Sequence, residues 1–154
     1  MKQRNFKNTS NLYNVKSDVR LNGNIYLGEY EERRIQALLN ENNISIIGRG
    51  AFSDVSAHEI VLNKGVKLIE PNAFLNSDIE TLVVLGAETK IERLAFRNCN
   101  IKNLVLSTEM LKRICKVMDD ADFLKFIGLI GGKTKVIKYE RYLEVKETPE
   151  EKDN

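Results

Sequence analysis

The chain has 154 residues, 42% of them hydrophobic, with 24 basic and 22 acidic side chains and a net charge of +2. That size predicts one domain with its own core, and the near-balanced charge argues against both an acidic nucleic-acid mimic and a strongly basic nucleic-acid binder. No apolar run reaches membrane-spanning length and the opening MKQRNFKNTSNLYNVK has no apolar centre, so a cytoplasmic protein with no membrane partner is expected.

The first expected element is a hairpin over residues 19–27, where apolar residues alternate around Asn22, Gly23 and Asn24, an Asn-Gly turn signal. Residues 29–40 follow with Tyr30, Arg34, Ile35, Leu38 and Leu39 at helical spacing behind an acidic first turn. They predict a short amphipathic helix.

A repeat begins next. The pairs Ala51-Phe52, Ala73-Phe74 and Ala95-Phe96 are spaced by 22 residues and by 22 again. The same step carries Ile60, Val61 and Leu62 to Leu82, Val83 and Val84, then to Leu104, Val105 and Leu106. Ile47 steps to Ile69 and Ile91, and Ala57 to Ile79 and Ile101; Ile44 steps to Val66 but then meets Glu88. Each unit therefore holds a short half-buried strand starting at Ala57, Ile79 or Ile101, and a second run ending in Ala-Phe. One strand per period in the low twenties is the pattern of leucine-rich repeats, whose strands stack into a parallel sheet. Pro71 falls in the return segment, where it removes no ladder bond.

These residues resemble the BspA-type leucine-rich repeat, whose unit runs roughly aliphatic-x-x-Ile-x-Ile-Pro-x-x-Val-x-x-Ile-Gly-x-x-Ala-Phe-x-x-Cys. Ile47-Gly48 and Ala51-Phe52 match in the first unit, Val66, Ile69 and Ala73-Phe74 in the second, and Ile91, Ala95-Phe96 and Cys99 in the third. Asn63 and Leu85 stand where the family has proline, and Glu70 and Glu92 where it has glycine. The resemblance covers about residues 38–106. With the periodicity it implies an α/β fold: a solenoid of about three 22-residue coils with a parallel sheet, capped before it by the hairpin and helix and after it by a helix and strand. Residues 1–146 then form a single domain, divided into an N-terminal cap (1–37), repeats (38–106) and a C-terminal cap (107–146), with a disordered polar tail at 147–154. Cys99 occupies the family's cysteine position. With Cys115 it is too little for a disulfide framework, and both read as small structural residues in a reducing compartment.

In the C-terminal cap, Ser107 or Thr108 is the expected helix cap, and Leu111, Ile114, Cys115 and Met118 form a stripe to cover the last coil. A second helical piece is expected over residues 121–126. Residues 135–146, with Ile137, Tyr139, Leu143 and Val145 between charged residues, read as a strand after a turn at Gly131 and Gly132.

Three chemical readings fail. GLIGGKT (128–134) is one residue short of a phosphate loop and precedes a strand rather than a helix. Asp119, Asp120 and Asp122 with Glu109 lack the alternate spacing and distal glutamate of a calcium loop. His58, the only histidine, cannot build a histidine metal site or a catalytic triad without other partners. A non-enzyme without cofactor or metal is expected.

With Ile60 and Leu62 inward, Glu59, Val61 and Asn63 face out, followed by Thr81, Val83 and Leu85 and then by Asn103 and Val105. Val61, Val83 and Val105 would stack as an apolar ridge. Three accounts of it stay open: a partner surface, a surface covered by the C-terminal cap, and plain strand propensity. On the first account Val83→Arg abolishes binding and leaves the fold intact. The function expected is a protein-interaction module using this outer face. The alternative is a small intracellular inhibitor, of the phage or mobile-element type, that blocks a larger enzyme by occlusion. A second copy of the chain is also a possible partner.

Overall fold

The computed structural model describes residues 5–8, 19–22, 32–41 and 43–147. The repeat register appears directly as strand pairing. Strands β4 (Ser56–Leu62), β6 (Asp78–Val84) and β8 (Asn100–Leu106) are parallel neighbours, pairing Ile60 with Leu82 and Leu82 with Leu104. The return runs give two-residue strands β3 (Ile46–Ile47), β5 (Leu68–Ile69) and β7 (Lys90–Ile91), also parallel and also in the 22-residue step. Between the two sheets lies the core. Phe52, Phe74 and Phe96 are fully buried, with successive ring centroids 5.2 and 5.1 Å apart.

Strict alternation would not put Ile79 and Leu82 on one face, since they are three residues apart. The register resolves this by leaving His58, Glu80 and Lys102 without ladder partners. The strand shifts phase there, so Ile79 and Ile101 join Leu82, Val84, Leu104 and Leu106 in the core.

Pro71 also finds its explanation. Ala51, Ala73 and Ala95 each donate a backbone hydrogen bond, 3.1 Å long, to the carbonyl three residues earlier, at Gly48, Glu70 and Glu92. The third residue of each turn is left-handed: Gly50 at φ 69°, Asn72 at 62° and Leu94 at 61°. A turn with positive φ at its third position favours proline at its second, which is where Pro71 sits. Glycine and asparagine suit the third position; leucine carries a Cβ penalty of about 1–2 kcal/mol. Leu94→Gly is therefore expected to raise the unfolding free energy by about 1 kcal/mol, measured by denaturant unfolding. An unchanged or lower midpoint with the same slope would refute the strain.

The flanks close the two ends differently. Val19–Asn22 is a strand, β2, as expected, and its antiparallel partner is β1 (Asn5–Asn8). Residues 23–31, where the expected turn and the start of the helix fall, lie outside the described residues. β2 also pairs in parallel with β3, so the small-strand sheet runs β1-β2-β3-β5-β7. Helix α1 (Glu32–Glu41) buries Ile35 and Leu39 and packs on β4. Its Gln36 side chain accepts from the Val61 amide and donates to the Val61 carbonyl, both at 2.8 Å. A carboxamide thus occupies the ladder bonds that a preceding strand would have made.

At the other end α2 (Thr108–Cys115) is capped by Ser107, and α3 (Asp120–Ile127) by Asp119. The end of α3 imitates another Ala-Phe return: Phe96 donates to the Ile127 carbonyl as Phe52 does to Ala73 and Phe74 to Ala95. Gly128 ends α3 at φ 105°, where a Cβ would lie 2.8 Å from the Arg97 backbone, so only glycine fits this close approach. Strand β9 (Lys135–Lys138) then pairs with β8 in parallel, Asn103 facing Lys135, giving the order β4-β6-β8-β9. The last step is 32 residues rather than 22, because α2 and α3 replace the short return strand.

The expected strand over 135–146 is corrected here. It stops at Lys138 and continues as helix α4 (Tyr139–Glu147). Tyr139, Tyr142, Leu143 and Lys146 satisfy helical spacing as well as the alternation satisfies a strand, and those of them that are partly buried, Tyr139, Tyr142 and Leu143, form one face.

Candidate interaction surface

The residues expected on the outer face do lie together along β4, β6 and β8, in the ladder pairs Glu59–Thr81, Val61–Val83, Thr81–Asn103 and Val83–Val105. They differ in access. Glu59, Val61, Asn63, Thr81, Leu85 and Asn103 are half-buried, whereas Val83 and Val105 are 1% and 0% exposed. Neither valine belongs to the main core cluster, so something covers them from outside.

That cover is α4. The helix begins at β9 and packs on β9 and β8, and Lys146 near its end donates to both oxygens of Glu59 on β4, at 3.2 and 3.0 Å. A path from β9 to β4 crosses β8 and β6. Three strand spacings come to roughly 14 Å, which about 10 Å of helix rise and an extended lysine can bridge. The Lys146 ammonium also sits 5.2 Å from the Tyr142 ring centroid and donates to the Tyr142 hydroxyl at 3.1 Å, while Tyr142 stacks on Tyr139. Where α4 begins, Thr108 donates to the Glu140 carboxylate and holds it below the usual carboxylate range. The cover is nonetheless lightly attached, for α4 buries none of its own residues and Val145 is 61% exposed.

Polar side chains also follow the 22-residue step. Asn98 donates to Asn76, Asn100 to Asp78 and Asn103 to Thr81, at 2.6, 3.1 and 3.2 Å. Asn63 is turned to its own loop, accepting from the Gly65 amide at 2.9 Å. Sequence reasoning missed Gln36 and Lys146, because both look like ordinary surface residues of short helices. The only available signal for Lys146 was its helical spacing from Tyr139 and Tyr142.

The residues weighed for chemistry take structural places. Asp119 accepts from the Asp122 amide at 2.8 Å as a helix cap, His58 is exposed at the phase shift, and Gly128 ends α3. Cys99 donates to the Phe74 carbonyl, the part played one unit earlier by Ser77 toward Phe52. Burial pushes its thiol up to about 12 against a small opposing pull from the Ser77 backbone. Cys115 is exposed. Among the described residues no helix is long and apolar enough to cross a membrane, and no three His, Cys, Asp or Glu side chains are gathered to hold a metal ion.

No curated protein and no solved structure matches the chain. A family model described as BspA type leucine rich repeat region (6 copies) matches residues 1–117, a wider span than the 38–106 read from the repeat and one that takes in β1, β2, α1 and α2. The 22-residue ladder, the stacked phenylalanines and this match agree, and the chain belongs to the BspA-type leucine-rich repeat family.

Proposed function

We propose that the protein is a non-catalytic interaction module that holds a protein partner on the outer face of the four-stranded sheet. Leucine-rich repeats generally mediate protein–protein contacts. The site comprises Glu59, Val61, Asn63, Thr81, Val83, Leu85, Asn103 and Val105. One observation carries the reading: two valines outside the core are sealed by a helix none of whose own residues is fully buried. A partner that takes the place of α4 gains the apolar centre, while the half-buried polar residues supply the rim of an ordinary interface. The strands hold these side chains at fixed spacing, so little ordering entropy is lost on docking.

Lys146→Glu tests this. The Glu59–Lys146 pair joins side chains 33% and 53% exposed, so screening limits it to about 1 kcal/mol or less. Its reversal should raise the share of molecules with α4 detached by up to about fivefold. In capture from host lysate, the variant should enrich the same proteins as the wild type, several-fold more strongly. Adding Thr81→Arg on the face should remove them. If neither substitution changes the capture, the outer face is not the binding site.

A further inference from the structure

β9 is the last strand of its sheet, and among the described residues no strand pairs with its far side. Half of its backbone donors and acceptors therefore point away from β8, as on any sheet edge. Beside that edge runs an open groove of about 630 Å³. Val136 from the core side of β9 and Ile137 from the outer side both line it, so it follows the edge itself. Leu111 and Cys115 of α2 form its opposite wall. Lys112, Lys138 and Arg141 stand on its rim against a single acid, Asp120. Among the described residues Lys112 has no ion-pair partner, Lys138 has only its charge attraction to the exposed Glu140, and Arg141 has only a highly exposed contact with Glu144.

We propose that this edge is a second docking surface, separate from the outer face, and that its occupant is an extended acidic segment of a partner protein. The segment pairs with β9 as a fifth strand, seats an apolar side chain against Leu111 and Val136, and sets carboxylates against Lys112, Lys138 and Arg141. Main-chain bonds supply affinity in such strand addition and side-chain pockets supply selectivity. The charge selects the occupant. A second copy of this chain would bring its own Lys135 and Lys138 beside the same lysines, an unfavourable cross-strand pairing.

The probe is a fluorescent synthetic peptide alternating glutamate with valine, titrated into the full chain and followed by anisotropy. Two controls accompany it, the same peptide with a central proline and a lysine–valine counterpart. Maleimide labelling of Cys115 gives an independent footprint in the groove; Cys99, whose thiol burial pushes up to about 12, stays silent. The expected result is binding of the acidic peptide alone, at least about fivefold slower Cys115 labelling in its presence, and about tenfold weaker binding to the Lys112→Glu/Lys138→Glu chain. Both lysines are exposed, and far-UV circular dichroism checks that the variant remains folded. Equal binding of either control peptide, binding that leaves Cys115 labelling unchanged, or no binding at millimolar peptide would overturn the proposal. So would a dimer of the free chain in which Cys115 is already protected.

Discussion

Phe74→Ala should lower the unfolding free energy by about 3–5 kcal/mol, the range for removing a buried phenyl from a close-packed core. Phe74 is the middle ring of the column and touches both neighbours, so its loss leaves a void that neither the unit before nor the unit after can fill alone. The surrounding backbone is held at short intervals, Phe74 donating to Ala95 and receiving Cys99 on its own carbonyl, so little collapse into the void is available. Equilibrium denaturation measures the change. A loss below about 1 kcal/mol would mean that the rings do not form one continuous core.

Val83→Arg is the second large effect, and the structure reverses the outcome that the sequence suggested. A guanidinium at a position 1% exposed cannot be accommodated unpaired, so a wild-type melt is not expected. The penalty has two outlets: the whole fold opens, or α4 lifts away and lets the charge reach water. Because α4 buries none of its own residues, the second is cheaper and caps the cost at about 2–3 kcal/mol. Amide exchange should then accelerate throughout residues 139–147 while β6 and β8 stay protected. Unchanged exchange in that segment, with an unchanged melt, would show that α4 does not cover Val83.

The repeat was legible because one chemical demand recurs at one interval. A buried phenylalanine, a close-packed alanine and an inward aliphatic must each reappear in phase for the strands to stack, and residues 46–106 obey that rule. The choice among partner surface, cover and propensity was not legible. Val83 and Val105 look the same whether water, a partner or the chain's own helix lies above them. What lies above them is α4, and residues 135–146 satisfy period two and period 3.6 together until the fold fixes where Lys138 ends the ladder. The pairing of β1 with β2 escaped for another reason. Asn5–Asn8 is polar and lies far along the chain from Val19, whereas Asn22-Gly23 offered a local alternative.

The carboxamide of Gln36 has a consequence for assembly. By answering both backbone groups of Val61 it withdraws that residue's donor and acceptor from the β4 edge, while among the described residues no strand pairs with the far side of β9. A filament needs every subunit to be receptive at two opposed ends. The two ends of this sheet are unequal, and a strand added at β9 meets no such obstruction as the one that Gln36 sets at β4.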